Sequence, residues 1–346
     1  MKIGIVSSTQ QTCPARGYGS ESATYDLACA LGKIGHDVVL FAPPGSLVPP
    51  GGRLFSIPRT PDGLTSKSDE AYPVTHYGDA VRELDVLHDF SLSFGAHEAA
   101  CAAYACGKAG PAHLCTLNGI SYLDPRPPHQ HNVVLVSEAA RVHADGRGAW
   151  YGTNYNETMW CGSLADPAAA RVVRYGRDPD FYRPVTPRAV DDYVLYVGRP
   201  HVAKGVSLVL DLAEAWRDQR FVLAWRADLP DHKAHERELR KRAAAIPNAE
   251  FVELPLDGHH EAKRDLMARA RALLHPNVYI DAQPVVPTEA QLCGAPVVAW
   301  DRGGLRESCV PDETAVLRPL PLRYWEHRGE AAALLRRMCR EAFDLD

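Results

Sequence analysis

Short apolar runs of strand length alternate with helical stretches along most of the chain. KIGIVS, at 2–7, is an apolar run that ends in a loop. From 20 to 34 the apolar residues Ala23, Leu27, Ala30, Leu31 and Ile34 recur at helical spacing. Gly35 closes this helix, with Lys33 in its last turn. HDVVLFAP, at 36–43, reads as a second strand. Strand, loop, helix and strand within about forty residues make a βαβ unit, which implies a parallel sheet.

Three more runs, LDVLHDF, AHLCTL and NVVLVSE, read as further buried strands. Residues 45–68, rich in Pro, Gly and Ser, read as a long surface loop, and 145–163 take no assignment. RYGRDPDFYRPVTPRAVDD, at 174–192, shifts to prolines and charges and reads as a linker. The pattern then restarts. YVLYVG, FVLAWRA, AEFVEL, ALLHP and PVVAW read as strands, with helices at 206–216, 236–245 and 261–272 and a last helical stretch at 323–343. No internal repeat of fixed period is visible. The expectation is an α/β fold of two Rossmann-like domains, 1–185 and 186–322. Residues 323–346 would form a last helix that either packs back on the N-terminal domain or stops short of it. Two such domains in tandem make a cleft, the usual place for a ligand.

Bulk properties narrow the function classes. A chain of 346 residues, 46% apolar and 23% charged, has the makeup of a globular protein. A net charge of −5 gives no general attraction to nucleic acid or to anionic membrane, though a local basic patch stays open. No apolar run nears the ~20 residues that span a bilayer, so membrane contact would be peripheral. The N-terminus reads as a strand, not a signal peptide. The nine cysteines include no Cys-x-x-Cys pair. Several, such as Cys29, Cys101, Cys106 and Cys293, lie in apolar or helical contexts, so they read as reduced core thiols of a cytoplasmic protein. The fifteen histidines include no His-x-x-x-His on a helix face, and His129, His131, His259 and His260 read as solvated loop residues. No metal site is expected.

Three stretches carry candidate chemistry. In YVGRPHVAKG a strand ends at Gly198, and Arg199 and Lys204 lie on the loop before a helix. Two cations beside free N–H groups at a helix start make an anion site; two solvated loop cations are the plainer reading. In VYIDAQPVVPTEAQLCG, Asp281 and Glu289 sit eight residues apart. Pro287 suits the first turn of a short helix at 288–293, ended by Gly294. Glu289 would lie in that first turn, able to accept sugar hydroxyls, and Asp281 would face another part of the same ligand. An N-terminal helix charge and a turn residue are the plainer readings. In PARGYGSE, Gly17 and Gly19 lie between a strand and a helix, where glycine lets backbone approach a ligand. The full dinucleotide fingerprint is missing.

Together these segments resemble the retaining, nucleotide-sugar-dependent glycosyltransferases of the GT-B architecture (glycosyltransferase family 4, group 1 type). That family includes sucrose and trehalose synthases and many bacterial polysaccharide and glycolipid mannosyl- and glucosyltransferases. RGYGSESATYDLACALGKIGHDVVLFAP resembles its opening glycine loop, helix and Gly-His-x-Val strand. VVRYGRDPDFYRP resembles its Asn-Gly-Ile-Asp segment, with Tyr175 where Asn is usual. The spacing of Arg199 and Lys204 matches its GR…KG motif. HPNVYIDAQPVVPTEAQLCGAPVVAWDRGGLRE resembles its E-x7-E block and the glycine pair after it.

The resemblance implies two Rossmann-like domains facing across a cleft. It implies that Arg199 and Lys204 hold the donor diphosphate, Asp281 the sugar hydroxyls and Glu289 the ribose. The backbone of Val285, Val286 and Gly19 would approach the donor. Arg16, Tyr18, His88 and Asn118 would lie on the acceptor side. Three further departures from the pattern matter: Asp281 replaces Glu, Gln283-Pro284 replaces an aromatic and Gly, and Asn118 replaces a His near the reaction centre. The expected activity is metal-independent transfer of a hexose from a nucleoside diphosphate sugar, UDP before GDP or ADP, with retention. The acceptor and the oligomeric state are left open, and no cofactor is implied. A nucleotide-sugar epimerase or hydrolase of the same fold, or a non-catalytic nucleotide-sugar-binding protein, are the alternatives.

Overall fold

The computed structural model describes residues 1–14, 19–60, 66–118, 131–143, 164, 166, 168–184, 189–226, 233–255 and 259–345. They form two compact units, one up to Gly176 and one from Arg177 onward. The division falls inside the proline- and charge-rich stretch.

In the first unit, β1 (Lys2–Val6), β2 (Asp37–Ala42), β3 (Arg53–Ser56), β4 (Val86–Asp89), β5 (Ala112–Leu117), β6 (Val133–Leu135) and β7 (Arg171–Val172) form one sheet. Its order is β3-β2-β1-β4-β5-β6-β7, with every pair parallel. In the second unit, β8 (Tyr193–Val197), β9 (Arg220–Trp225), β10 (Ala249–Glu253), β11 (Ala272–His275), β12 (Val297–Trp300) and β13 (Ala315–Arg318) form a parallel sheet of order β10-β9-β8-β11-β12-β13. The central strands β8, β11 and β12 are buried at every position. That is why they read as unbroken apolar runs rather than alternating ones: helices cover both faces of such a sheet.

Each sheet reverses its winding once. The chain builds outward from β1 through β2 to β3, then returns to place β4 on the other side of β1. It does the same at β8 and β11. At such a switch point the loops leaving the two strands part, and a crevice opens at their carboxyl ends. Gly19 begins the helix Gly19–Lys33 after β1, and His88 lies on β4. Arg199 and Lys204 follow β8, and Asp281 follows β11.

The last helix, Arg328–Phe343, buries Ala331, Leu335, Met338, Cys339 and Ala342 in the core of the second unit, with Val206, Leu210 and Trp300. This stripe is its packing face, so the second unit is where the helix docks.

Several expectations fail for local reasons. The supposed loop 45–68 contains β3, a four-residue strand that pairs with β2. Too few residues stand between its flanking glycines and proline to show a period. β7 and β13 are short in the same way. The helix Gly95–Ala105 is largely alanine and shows no apolar stripe against a polar background. His259 and His260 open the helix His259–Arg269 instead of a loop, and His259 is buried. The described cysteines are free thiols; Cys106, at a helix end, is exposed rather than in the core.

Candidate functional site

β8 delivers the chain to Gly198, and a short 3-10 turn, Val202–Lys204, follows. His201 caps this turn through its ring nitrogen, 3.1 Å from the Ala203 amide. Gly205 then takes φ 71, the left-handed region, and begins the helix Val206–Ala215. A side chain at Gly205 would put its Cβ 2.0 Å from the Pro276 carbonyl oxygen. The glycine is therefore required twice, by its backbone angle and by its contact with the segment after β11.

This close approach brings Lys204 to the loop that carries Asp281. Lys204 Nζ lies 3.4 Å from Asp281 Oδ2. The ammonium also donates to the Tyr279 hydroxyl, which donates in turn to Asp281 Oδ2. The ammonium stands 4.5 Å from the centre of the Tyr279 ring. Burial, helped by the like charge of Arg199 and opposed by Asp281, lowers Lys204 from 10.5 to about 8. Burial would raise Asp281, but the Lys204 charge and the Tyr279 hydrogen bond prevail and hold it below its ordinary value. His275, on β11, is pushed down to about 3 by burial and by Lys204, so it is neutral. The result is an ionised carboxylate beside the Lys204 ammonium at a sheet switch point.

The Asp281 loop is braced from behind. Arg302 Nη1 donates to the Val278 carbonyl at 2.6 Å, and the Gly304 amide donates to the Asp281 carbonyl at 2.9 Å. A Cβ at Gly303 would lie 2.2 Å from the Asp281 oxygen, and one at Gly304 would lie 2.1 Å from the Ala282 oxygen. The glycine pair is thus a bed for the loop. Gln283 is buried, and Pro284 is the N-cap of the helix Val285–Leu292. No side chain caps that helix, so the amides of Val285 and Val286 lack the side-chain acceptor that usually serves a helix start.

Glu289 is placed differently from the expectation. The helix begins at Val285, so Glu289 lies in its second turn, beyond the reach of the dipole at the helix start. Its charge is stabilised by cations instead. Arg177 Nη2 lies 2.7 Å from Oε1, and Lys263 Nζ lies 2.7 Å from Oε2. Arg177 also donates to the Tyr182 hydroxyl at 2.9 Å. Burial alone would raise Glu289; Lys263 and Arg177 outweigh it and bring the group from 4.5 down to about 2. The Glu289 side chain is 1% exposed.

In the first unit, His88 Nε2 and Thr116 Oγ1 are hydrogen-bonded at 2.7 Å. Burial lowers His88 to about 4, so its ring is neutral near pH 7. Asn118 uses both ends of its amide: Nδ2 donates to the Phe90 carbonyl at 2.8 Å, and Oδ1 accepts from the Tyr175 hydroxyl at 2.6 Å. Gly19 opens its helix. Arg16, Gly17 and Tyr18 lie outside the described residues.

The structure therefore brings Lys204 and Asp281 together, with Arg199 close enough to act on Lys204 electrostatically. Glu289 forms a separate cluster. The sequence reading missed Tyr279, Arg177 and Lys263. Lys263 had a signal: His259, Lys263 and Met267 share one helical stripe and are all buried, so a lysine stands where an apolar residue would be ordinary.

Residues 180–321 match the family model of glycosyl transferases group 1. No curated protein sequence matches the chain. Among solved structures, the chain is similar to AviGT4, a glycosyltransferase involved in avilamycin A biosynthesis, at 21% identity and a TM-score of 0.63 over 99% of this chain and 93% of that one. It is similar to HepE of Anabaena in complex with UDP-glucose, at 17% identity and a TM-score of 0.66 over 99% and 92%. The catalytic domain of starch synthase IV from Arabidopsis thaliana, bound to ADP and acarbose, gives 12% identity and a TM-score of 0.68 over 100% and 96%. Residues 180–321 are thus similar to the group 1 glycosyltransferases, and the chain as a whole has the two-sheet α/β fold of the GT-B glycosyltransferases.

Proposed function

We propose that the chain transfers a hexose from a nucleoside diphosphate sugar to an acceptor, with retention of configuration and without a divalent ion in the transfer step. The observation that carries this reading is the meeting of Lys204 with Asp281 at the carboxyl ends of the adjacent central strands β8 and β11. UDP is the preferred nucleotide; the structural likeness to HepE, which was captured with UDP-glucose, supports that choice.

In this reading Arg199 and Lys204 neutralise the diphosphate as it leaves. The amides of Val285 and Val286, which no side chain caps, add donors at a helix start. Asp281 accepts hydrogen bonds from the sugar hydroxyls. No glycosidase-type nucleophile is required: the acceptor attacks the face the diphosphate is leaving, and a diphosphate oxygen takes the acceptor proton. Stabilising the developing negative charge is then the main catalytic contribution. Glu289 serves the ribose, kept ionised by Arg177 and Lys263. Lys263, 8% exposed against 2% for Arg177, is the cation that gives way to the ribose hydroxyls. The Gly19 backbone serves the donor, and Arg16, Tyr18, His88 and Asn118 serve the acceptor. Among the described residues no helix is long and apolar enough to cross a membrane. A cytoplasmic enzyme fits the free thiols.

The test is calorimetry with UDP-, GDP- and ADP-sugars, followed by a turnover assay that reads the anomer of the product. Arg199→Ala and Lys204→Ala are each expected to raise the barrier by ~3 kcal/mol, about a hundredfold in rate. Wild-type turnover in both variants overturns the reading, and an inverted anomer overturns retention. Added Mg2+ or Mn2+ should leave the rate unchanged. Epimer or free sugar formed without acceptor would point to an epimerase or hydrolase instead.

A further inference from the structure

In the first unit, three metal-ligating side chains to which the proposed reaction gives no role converge. His97 and Cys101 lie one helical turn apart on Gly95–Ala105, and His113 is the second residue of β5. Cys101 Sγ is 3.2 Å from His113 Nε2 and 3.7 Å from His97 Nε2. One ligand atom from each residue falls within 4.8 Å of the other two. Zinc bonds of about 2.0–2.1 Å to nitrogen and 2.3 Å to sulfur, at a tetrahedral angle, require N–S edges of about 3.6 Å and an N–N edge of about 3.3 Å. The two measured N–S edges bracket the first value.

The scaffold holds these groups in place. His97 and Cys101 are 0% and 3% exposed, so their rotamers are fixed by packing. The His97 amide donates to Asp89 Oδ2 at 2.8 Å, which ties the start of the helix to the end of β4. Nε2 of the His113 ring faces the Cys101 thiol.

We propose that His97, Cys101 and His113 form a zinc site, with water in the fourth position. Binding transfers the Cys101 thiol proton to solvent and leaves a thiolate and two neutral imidazoles on the ion, so no oxidant or reductant is involved. The ion would fasten the helix to β5 and, with three protein ligands, keep an open fourth position for water. His113 pairs with Leu87 near the start of its strand, whereas Asn118 follows the strand's other end. The two imidazoles and the soft thiolate favour zinc over magnesium or calcium, which take oxygen ligands.

The experiment strips the full-length protein with a chelator, then titrates it with zinc and, separately, with cobalt(II). The expected result is one zinc per chain by elemental analysis, and a cobalt spectrum with tetrahedral d–d bands and thiolate-to-metal charge transfer. Cys101→Ser should lose the charge-transfer band. Cys101→Ser and His113→Gln should each weaken zinc binding by more than the roughly 10–100-fold that an outer partner is worth. Circular dichroism shows whether each variant is folded, and the wild-type spectrum stands whatever the variants do. No stoichiometric metal on the wild-type chain overturns the proposal. Zinc bound equally by both variants also overturns it, because the ion then sits elsewhere. None of these readouts depends on sugar transfer.

Discussion

Lys204 Nζ lies 3.4 Å from Asp281 Oδ2, and the Tyr279 hydroxyl bonds both. The tyrosine takes one hydrogen bond and gives another, so it fixes the distance between the cation and the acid. Tyr279→Phe keeps the ring under the ammonium, 4.5 Å from its centre, and removes only the hydroxyl. A hydrogen bond to a charged group is worth ~1.5–3 kcal/mol. The variant should lose about 10- to 100-fold in kcat/KM and keep its fold. An unchanged kcat/KM would reduce Tyr279 to a packing residue.

Lys204 is brought down to about 8. It binds an anion as a cation, so its contribution is present below pH 8 and fades as pH rises through that value. UDP affinity measured by calorimetry should therefore fall across about pH 7 to 9. Lys204→Arg, which stays charged throughout, should flatten that profile even if the longer side chain weakens binding overall. A native profile that is flat over this window would count against Lys204 as a ligand of the diphosphate.

Glu289 is shared by two buried cations. Removing one partner of such a set strands the others, at a cost of ~3–5 kcal/mol. Glu289→Gln should destabilise the protein by about that much in urea unfolding at pH 7. The sign with pH follows from its depressed value, about 2 against 4.5. Its contribution is complete above pH 4.5 and is lost as pH falls toward 2. The difference between native and variant should thus hold steady from pH 7 to about 5 and shrink only below that. A gap under ~1 kcal/mol at pH 7 would mean that Arg177 and Lys263 find other partners.

The architecture was legible wherever burial imposes a pattern. β8, β11 and β12 are enclosed on both faces and had to be apolar throughout, so they stood out in the sequence. β3, β7 and β13 are too short for any period to show, and the helix Gly95–Ala105 hides in its alanines. The candidate site was legible where a residue type is odd for its place: two cations before a helix, two acids across prolines. Tyr279 escaped because a tyrosine in an apolar run passes for core. Arg177 lay inside a quoted motif without a role. Its partner, 112 positions later at Glu289, is joined to it only by the fold. The burial of Glu289 could not be foreseen, because acids at helix starts are ordinarily solvated; here two cations offset the cost of enclosing it.

Two departures from the pattern the sequence resembles meet in the first unit. Tyr175 stands where Asn is usual, and its hydroxyl donates to Oδ1 of Asn118, which stands where His is usual. The bond, at 2.6 Å, leaves Asn118 with both polar ends engaged, the other on the Phe90 carbonyl at 2.8 Å. The two substitutions therefore work as one unit. Tyr175→Phe should cost ~0.5–1.5 kcal/mol, one hydrogen bond. Asn118→Ala should cost more, since it also strips the Phe90 carbonyl of its donor. Once Asn118 is alanine, Tyr175→Phe no longer breaks the bond to Asn118 Oδ1. The double variant should fall short of the sum of the singles by ~1 kcal/mol in urea unfolding. A sum that holds within about 0.3 kcal/mol would show two independent residues, and the pairing would then explain neither departure.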